Sequence, residues 1–311
     1  MEDLCSLYGK IIMLTVYAPA KINLVLEVLG KHNDYHRISS IVQSIDLCDV
    51  LNFQRDEEIC FKCDEPSLRH DNLVIQAATL LKQSTKYSLG ARIELRKHIP
   101  WAVGLGGGSS DAAATLLALN ELWGLGFSLS ELVHLASKLG SDVPFFIHKG
   151  TALIEGRGEK VTSLPSLPSI CFVLLVPPLP KISGKTKQMY KNLRVADFTE
   201  GQFVQAALSS LRQGKAIDPG LMFNVFEKVT FDFFPGLDKY RKALEEAGAP
   251  GVYLAGSGPC LFTLFSGKEE AGELFSRLKK QGLECYLAFS FPTPIESGHS
   301  YRPEDPKGKI I

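Results

Sequence analysis

The amino-acid sequence predicts an α+β fold in two lobes that share one cleft. At about 100–200 residues per domain, a chain of 311 residues forms one large domain or two ordinary ones. Runs of β-forming residues alternate with segments of helical periodicity in both halves, and a stretch dense in proline and serine separates the halves at residues 162–169. We therefore expect a first lobe at residues 1–165 and a second at residues 166–311.

The first half opens with β-forming residues at 13–29. Pro19 lies in the middle of this segment, where a continuous central strand would lose a hydrogen bond, so two strands meeting at a bend fit best. Further strands are predicted at 38–45, 49–54, 58–62 and 91–96. Helices are predicted at 72–83, 109–123 and 129–139. The last helix has Ser128 and Glu131 in capping-box positions.

The second half begins with an apolar strand at 170–176. Its helices are predicted at 185–192, 201–212, 222–229, 236–247 and 268–281. Two strands joined by a glycine turn are expected at 251–265, and a last strand at 284–290. Residues 291–311, which place prolines among charges, predict a frayed tail.

The charge balance excludes several classes of function. Lys+Arg and Asp+Glu number 34 each, so the chain has no general attraction for nucleic acid or anionic membranes, and any phosphate recognition must be local. The longest apolar run, at 170–179, is too short to span a bilayer. The acidic start at Glu2 and Asp3 is unlike a signal peptide. We expect a cytoplasmic protein.

Seven cysteines without regular spacing predict reduced thiols, since a chain of this length does not need disulfides. Cys60 and Cys63 form a C-x-x-C pair, but no second pair or histidine pair accompanies it. The spacing therefore gives little support for a zinc or redox site.

The glycine-rich segment after Pro100 is the most informative about function. Four of the five residues at 104–108 are glycine, and a helix start follows in which Ser109 can cap and Asp111 lies in the first turn. Glycine lets backbone N–H groups approach an anion, and a helix N-terminus adds about half a positive charge. The alternative is a tight strand-to-helix turn, which does not require four glycines. The segment predicts a nucleotide phosphate site at Gly104, Leu105, Gly106, Gly107, Gly108, Ser109 and Ser110.

This segment is neither a Walker loop, because no Gly-Lys-Ser/Thr follows, nor a Rossmann fingerprint, because its last glycines are contiguous. It resembles the phosphate loop of the GHMP kinase superfamily, Pro-x-x-x-Gly-Leu-Gly-Ser/Gly-Ser-Ser. Four other segments are similar to motifs of that superfamily, in the same order: Pro19-Ala20-Lys21-Ile22-Asn23-Leu24, Asp34-Tyr35-His36, Gly140-Ser141-Asp142-Val143-Pro144-Phe145-Phe146 and Gly256-Ser257-Gly258-Pro259.

The resemblance implies a two-lobe GHMP kinase fold with the active site in the cleft, ATP as phosphoryl donor and Mg²⁺ beside it. Within the superfamily, the motifs look like those of kinases that phosphorylate the 2-hydroxyl of 4-diphosphocytidyl-2-C-methyl-D-erythritol in the non-mevalonate isoprenoid pathway. The expected partner is this small molecule, not nucleic acid or a membrane. Two alternatives stay open: another GHMP kinase that acts on mevalonate, homoserine or a sugar, and a catalytically silent ligand-binding protein on the same scaffold.

Phosphoryl transfer to an alcohol requires a group that orients or deprotonates the hydroxyl. Asp142, between Gly140 and Pro144, lies at a short rigid bend that suits a base, although an N-cap aspartate also fits this position. Lys21 lies in an apolar strand, where a charge needs a partner or must reach water. The resemblance implies that Asp142 is the catalytic base and that Lys21 pairs with it.

For the acceptor, Asn23 offers a donor and an acceptor to a polyol, while Tyr35 and His36 offer stacking and hydrogen bonds to a pyrimidine. Taken alone, a Tyr-His pair after a strand is more often surface packing. The resemblance implies that the pair binds the cytidine diphosphate moiety. The family usually has Arg-x-Asp-Gly-Tyr-His here, and this chain lacks that arginine and that glycine.

Three further assignments come from the resemblance. The turn at Gly256 and Ser257, which could be a bare hairpin, is expected beside the acceptor and the phosphate loop. Tyr190, four residues after Thr186, has the spacing of an aromatic residue that approaches the cytosine. Ser109 and Ser110 could bind phosphate or hold Mg²⁺ through a hydroxyl, and the metal ligands stay unassigned.

Overall fold

The computed structural model describes residues 13–291, except residues 34, 71, 183, 214 and 216. Within this part of the chain, a six-stranded sheet ends at residue 163 and a four-stranded sheet begins at residue 171. We call the six-stranded sheet and its helices the first lobe, and the four-stranded sheet and its helices the second lobe. The lobe boundary at 165/166 stays a prediction. Cys5 and most of the predicted tail lie outside the described residues.

The first lobe is built around one long central strand. Its strands are β1 (Leu14–His32), β2 (Tyr35–Asp56), β3 (Ile59–Cys63), β4 (Gly90–Arg96), β5 (Thr151–Gly156) and β6 (Lys160–Ser163). β2 pairs antiparallel with β1, β4 and β5. Its helices are α1 (Leu73–Thr85), α2 (Gly107–Trp123), α3 (Leu129–Leu139) and α4 (Val143–His148). α2 packs on β1 and β2, and the other three helices surround it.

Pro19 does not divide the first strand. β1 runs through it, and the register against β2 shifts between Pro19, which is opposite Cys48, and Ala20, which is opposite Ile45. A β-bulge of this kind accommodates the missing proline N–H. The predicted pair of strands meeting at a bend was therefore wrong. The separate strands predicted at 38–45 and 49–54 were also wrong, because both lie in β2.

Helix α2 begins two residues before its predicted start. Gly106 occupies the N-cap with a left-handed φ of 74°, so Ser109 lies in the first turn and does not cap the helix. The apolar residues of α2, among them Leu116 and Trp123, are buried. α3 agrees with its prediction, since Ser128 and Glu131 form the capping box.

Within the described residues, the second lobe combines a four-stranded sheet with five helices. The strands are β7 (Cys171–Leu175), β8 (Tyr253–Leu254), β9 (Leu261–Phe265) and β10 (Cys285–Phe289), in the order β10-β7-β9-β8. The helices are α5 (Lys185–Asn192), α6 (Gln202–Arg212), α7 (Glu227–Phe233), α8 (Leu237–Glu246) and α9 (Lys268–Lys280). The helix predicted at 222–229 begins only at Glu227, because the backbone before it pairs with β1.

Backbone hydrogen bonds join the two lobes beside the cleft. The N–H of Leu26 in β1 donates to the carbonyl of Phe223 at 2.7 Å, and its carbonyl accepts from the N–H of Val225 at 3.0 Å. The Glu27 carboxylate accepts from the N–H of Val204, at the start of α6, at 2.8 Å. β1, which carries Lys21 and Asn23, is therefore fixed against both lobes.

The six cysteines that the structure describes form no disulfides with one another. In the same residues, no group of three or more histidine, cysteine, aspartate or glutamate side chains is arranged to hold a metal ion. No helix of the described chain combines the length and apolarity needed to cross a bilayer.

Candidate active site

A cavity of about 590 Å³ opens between the two lobes, within the size range of small-molecule sites. The residues predicted for the site that line it are Lys21, Asn23, Gly104, Leu105, Gly106, Gly107, Gly108, Ser109, Asp142, Tyr190, Gly256 and Ser257. Ser110 is buried just behind this surface. Tyr35 and His36 are not part of the lining.

The phosphate loop, residues 104–110, presents the start of α2 to this cavity. Among the described residues, no side chain caps the helix, so the N–H groups of its first turn are available to an anion. Gly104 has a φ of 98°, and a Cβ there would lie 2.0 Å from the carbonyl oxygen of Ala255. The loop can therefore pack this closely against the neighbouring turn only with glycine at that position.

Lys21 is the central cation of the site. Its side chain is buried, at 6% exposure for the residue, and its backbone N–H donates to the Leu105 carbonyl at 3.0 Å. The ammonium donates to the Asn23 side-chain oxygen and lies 4.0 Å from Oδ2 of Asp142. Burial lowers the pKa of Lys21, and the charge of Asp142 partly opposes that shift.

Asp142 occupies the N-cap position of α4, but its side chain makes no capping hydrogen bond within the described residues. The side chain is 52% exposed and lines the cavity. Asp142 is therefore the N-cap residue by its backbone position only, and its carboxylate does not act as a cap within the described residues. The carboxylate is free to meet a hydroxyl group.

The turn at Gly256 and Ser257 contacts both the phosphate loop and α5. A Cβ on Gly256, whose φ is 53°, would lie 2.7 Å from the Gly104 carbonyl oxygen and 3.0 Å from the Lys21 ammonium. The Ser257 hydroxyl hydrogen-bonds to that of Thr186 at 3.0 Å. The Ser257 carbonyl accepts from the Lys185 ammonium at 3.0 Å.

Tyr35 and His36, which were expected to act as a pair, have different surroundings in the structure. The His36 ring stacks on Tyr190, with centroids 4.9 Å apart and planes at 24°. Tyr35 is 57% exposed, and the Arg157 guanidinium lies over its ring, 4.7 Å from the ring centroid. Consecutive strand residues point to opposite faces, which explains the difference. The hairpin forms without the family's glycine because Asn33 takes the left-handed conformation, at φ 52°.

The sequence did not identify two cations that line the cavity, Lys97 and Lys185. Lys97 lies between two carboxylates: its ammonium contacts Asp49 and lies 2.9 Å from Oδ2 of Asp111. Burial, with repulsion from Asp49, raises the pKa of Asp111. The second cation is Lys185, the first residue of α5. A lysine at this position opposes the helix dipole, and that was the signal in the sequence that could have identified it.

Comparison with known proteins extends the similarity over most of the chain. Residues 72–150 match the family model "GHMP kinases N terminal domain", and residues 205–283 match "GHMP kinases C terminal". A 4-diphosphocytidyl-2-C-methyl-D-erythritol kinase of Dehalococcoides mccartyi is 46% identical over 277 residues, which cover 88% of this chain and 97% of that protein.

Solved structures agree with the sequence matches. The crystal structure of a 4-(cytidine 5'-diphospho)-2C-methyl-D-erythritol kinase is 32% identical and has a TM-score of 0.75, covering 89% of this chain and 100% of that one. Homoserine kinase from Cytophaga hutchinsonii, at 20% identity and a TM-score of 0.71 over 92% of this chain and 98% of that one, shares the fold. The identity along most of both chains shows that this protein belongs to the 4-diphosphocytidyl-2-C-methyl-D-erythritol kinase family of the GHMP kinases.

Proposed function

We propose that the protein transfers the terminal phosphoryl group of ATP to the 2-hydroxyl of 4-diphosphocytidyl-2-C-methyl-D-erythritol. The observation that carries this proposal is the arrangement of Lys21, Asp142 and the phosphate loop around one cavity, in a chain whose relatives are named for that kinase activity. A cytoplasmic location and the exclusion of nucleic-acid partners stay predictions from the sequence.

The start of α2 suits the phosphates of ATP. Its first-turn N–H groups and the helix dipole both favour an anion. Two buried oxygens at this point, Oγ of Ser110 and Oδ1 of Asp111, have no hydrogen-bond partner in the described chain. Because Mg²⁺ prefers oxygen ligands, these two residues would hold the ion, whose charge neutralises the phosphate oxygens.

Asp142 is proposed to accept the proton of the acceptor hydroxyl while the hydroxyl oxygen forms its bond to phosphorus and the bond from phosphorus to ADP breaks. Lys21 orients the carboxylate by charge from 4.0 Å. Asn23, whose amide N–H₂ donates to the Ser40 hydroxyl at 2.8 Å, is positioned beside the same ammonium and offers polar atoms to the polyol.

His36 and Tyr190 are proposed to recognise the cytosine. Burial, helped by the nearby Lys31, lowers the pKa of His36, so its ring is neutral at pH 7 and can stack and hydrogen-bond. Burial raises the pKa of Tyr190, so its hydroxyl keeps its proton and can donate it to a hydrogen bond. A base seated here would place the attached diphosphate and polyol toward Asp142.

The test is phosphoryl transfer measured on a panel of acceptors: the proposed substrate, 2-C-methylerythritol 4-phosphate, mevalonate, homoserine and galactose. A site that hydrogen-bonds a group can reject an analogue lacking it by as much as ~10⁴ in kcat/KM. We therefore expect the acceptors without cytidine to be poorer by orders of magnitude. Similar kcat/KM with and without the cytidylyl group would overturn the proposal, and efficient turnover of mevalonate or homoserine would favour another GHMP kinase activity.

A further inference from the structure

Lys185 is a buried cation without a carboxylate partner in the described chain. It is 4% exposed, and the hydrogen bond recorded for its ammonium goes to a neutral acceptor, the Ser257 carbonyl, at 3.0 Å. None of the ion pairs among the described residues includes it. Its side chain nevertheless lines the cavity between the lobes.

The surroundings of Lys185 are unfavourable for a positive charge. It is the first residue of α5, where the helix dipole repels cations. The Phe234 ring centroid lies 6.0 Å from the ammonium, at the outer limit of a cation–π contact, and the ring supplies no negative charge. An uncompensated buried charge is costly. Folding alone therefore gives no reason for a lysine at this position, whereas an anion in the cavity would supply the missing countercharge.

Lys185 and Lys21 approach the same turn from different lobes. Lys185 binds the Ser257 carbonyl from α5, and Lys21 lies on β1, 3.0 Å from where a Cβ of Gly256 would be. Gly256 in turn packs on the Gly104 carbonyl of the phosphate loop. An anion between the loop and the acceptor site therefore lies within reach of both ammonium groups.

We infer that Lys185 binds a phosphate oxygen of a bound substrate and acts with Lys21 as a second cation of the transfer site. The inference rests on the proposed function, which brings two sources of phosphate into the cavity: the terminal phosphates of ATP and the diphosphate of the acceptor. A lysine ammonium recognises either as a point charge.

The protonation of Lys185 makes the inference measurable. Burial, together with the charge of Lys21 on β1, lowers the pKa of Lys185 to about 7. The Cys260 side chain before β9 opposes that shift. A bound phosphate raises the pKa again. At pH 8, one unit above the free value, binding should therefore take up about 0.9 proton.

The experiment is isothermal titration calorimetry of ATP with Mg²⁺, and separately of CDP, at pH 8 in two buffers of different ionisation enthalpy. The proteins are wild type, Lys185→Met and Lys187→Met, an exposed lysine of the same helix. We expect wild type and Lys187→Met to take up the proton. Lys185→Met should lose the uptake and bind up to roughly tenfold more weakly at pH 8, because the cost of protonating Lys185 one unit above its free pKa offsets about elevenfold the ~10–100-fold effect of one charged hydrogen bond.

The two titrations distinguish the sources of phosphate. Loss of uptake for ATP alone assigns Lys185 to the donor, loss for CDP alone assigns it to the acceptor diphosphate, and loss for both assigns it to a shared position. Unchanged affinity and uptake in a folded Lys185→Met protein would overturn the inference. If that variant does not fold, the pH dependence of binding to the wild-type protein provides the test. The wild-type affinity for one of the two ligands should fall roughly eightfold between pH 7.5 and 8.5. Affinities for both ligands that do not change with pH would reject the role of Lys185. Because no turnover is measured, the outcome is separate from that of the acceptor panel.

Discussion

At the scale of single residues, Asp142 offers the most direct test of the chemistry. Its carboxylate is half-exposed and does not cap α4 within the described chain, so Asp142→Asn should leave the fold and the ATP affinity largely unchanged. Turnover should fall by on the order of 10²–10⁴, the range for losing a positioned general base. The measurements are kcat and a calorimetric Kd for ATP. Asp232→Asn, an exposed aspartate on α7, is the matched control, and a kcat within a few-fold of wild type would remove Asp142 from the mechanism.

Lys21 is expected to act with Asp142 as one unit. Its ammonium lies 4.0 Å from the carboxylate, and residues that act as a unit do not have additive effects. We predict that Lys21→Ala lowers kcat to a similar level as Asp142→Asn, and that the double variant is hardly slower than either. A double-mutant cycle on kcat tests this. Multiplicative losses in the double variant would show that the two side chains act independently.

Recognition of the acceptor should depend more on His36 and Tyr190 than on Tyr35. The first two rings stack on one another, whereas Tyr35 contacts Arg157 at the surface. We predict that His36→Ala or Tyr190→Ala raises KM for the acceptor by roughly tenfold or more and spares ATP binding. An aromatic contact and a hydrogen bond together contribute about 1–3 kcal/mol, and tenfold corresponds to about 1.4 kcal/mol. Tyr35→Ala should have a smaller effect. Steady-state kinetics with each substrate varied in turn decides, and an equal or larger effect for Tyr35→Ala would contradict the stacking geometry.

At the scale of elements, the phosphate loop depends on glycine for its packing as well as for access to phosphate. Gly104→Ala would place a Cβ 2.0 Å from the Ala255 carbonyl oxygen, and overpacking of this kind lowers the free energy of unfolding by about 1–3 kcal/mol. Gly124, at the end of α2, is the control, because it also has a positive φ, 66°, but has open space around it. Chemical denaturation should show Gly104→Ala to be the less stable variant. Equal stabilities would mean that the loop moves freely to admit a side chain.

Elements set by local chemistry could be predicted from sequence, and those set by tertiary pairing could not. The capping box of Ser128 and Glu131 is local, and α3 begins where predicted. The helix expected at 222 starts late because Phe223 and Val225 pair with Leu26, about 200 positions earlier in the chain. The site shows the same contrast. Lys21 and Asp142 lie in recognisable motifs, whereas the partner of Lys97, Asp49, is 48 positions away.

At the scale of the whole molecule, the cleft is held by bonds that cross between the lobes. Glu27 of β1 is fully buried, and its carboxylate accepts from the N–H groups of Phe203 and Val204 at the start of α6. The Ser44 carbonyl on β2 accepts from the N–H of Phe291 at 2.8 Å. Because the site draws Lys21 and Asp142 from one lobe and Lys185 and Tyr190 from the other, its geometry depends on these bonds.

This coupling predicts that the two lobes unfold as one unit. The two tryptophans of the chain, Trp101 and Trp123, both lie in the first lobe, so their fluorescence reports that lobe, whereas far-UV circular dichroism reports both. The two thermal transitions should coincide in wild type.

The variant Glu27→Ala tests the bonds between the lobes. It leaves buried N–H groups of α6 without an acceptor, which lowers the free energy of unfolding by about 1–3 kcal/mol. The coincident transitions should then move down by several degrees, at about 2–4 °C for each kcal/mol. Glu155→Ala, an exposed glutamate of the same sheet, should leave Tm unchanged. Separate fluorescence and dichroism transitions in wild type would show that the lobes unfold independently, in which case the Glu27 bonds dock them without making them one cooperative unit.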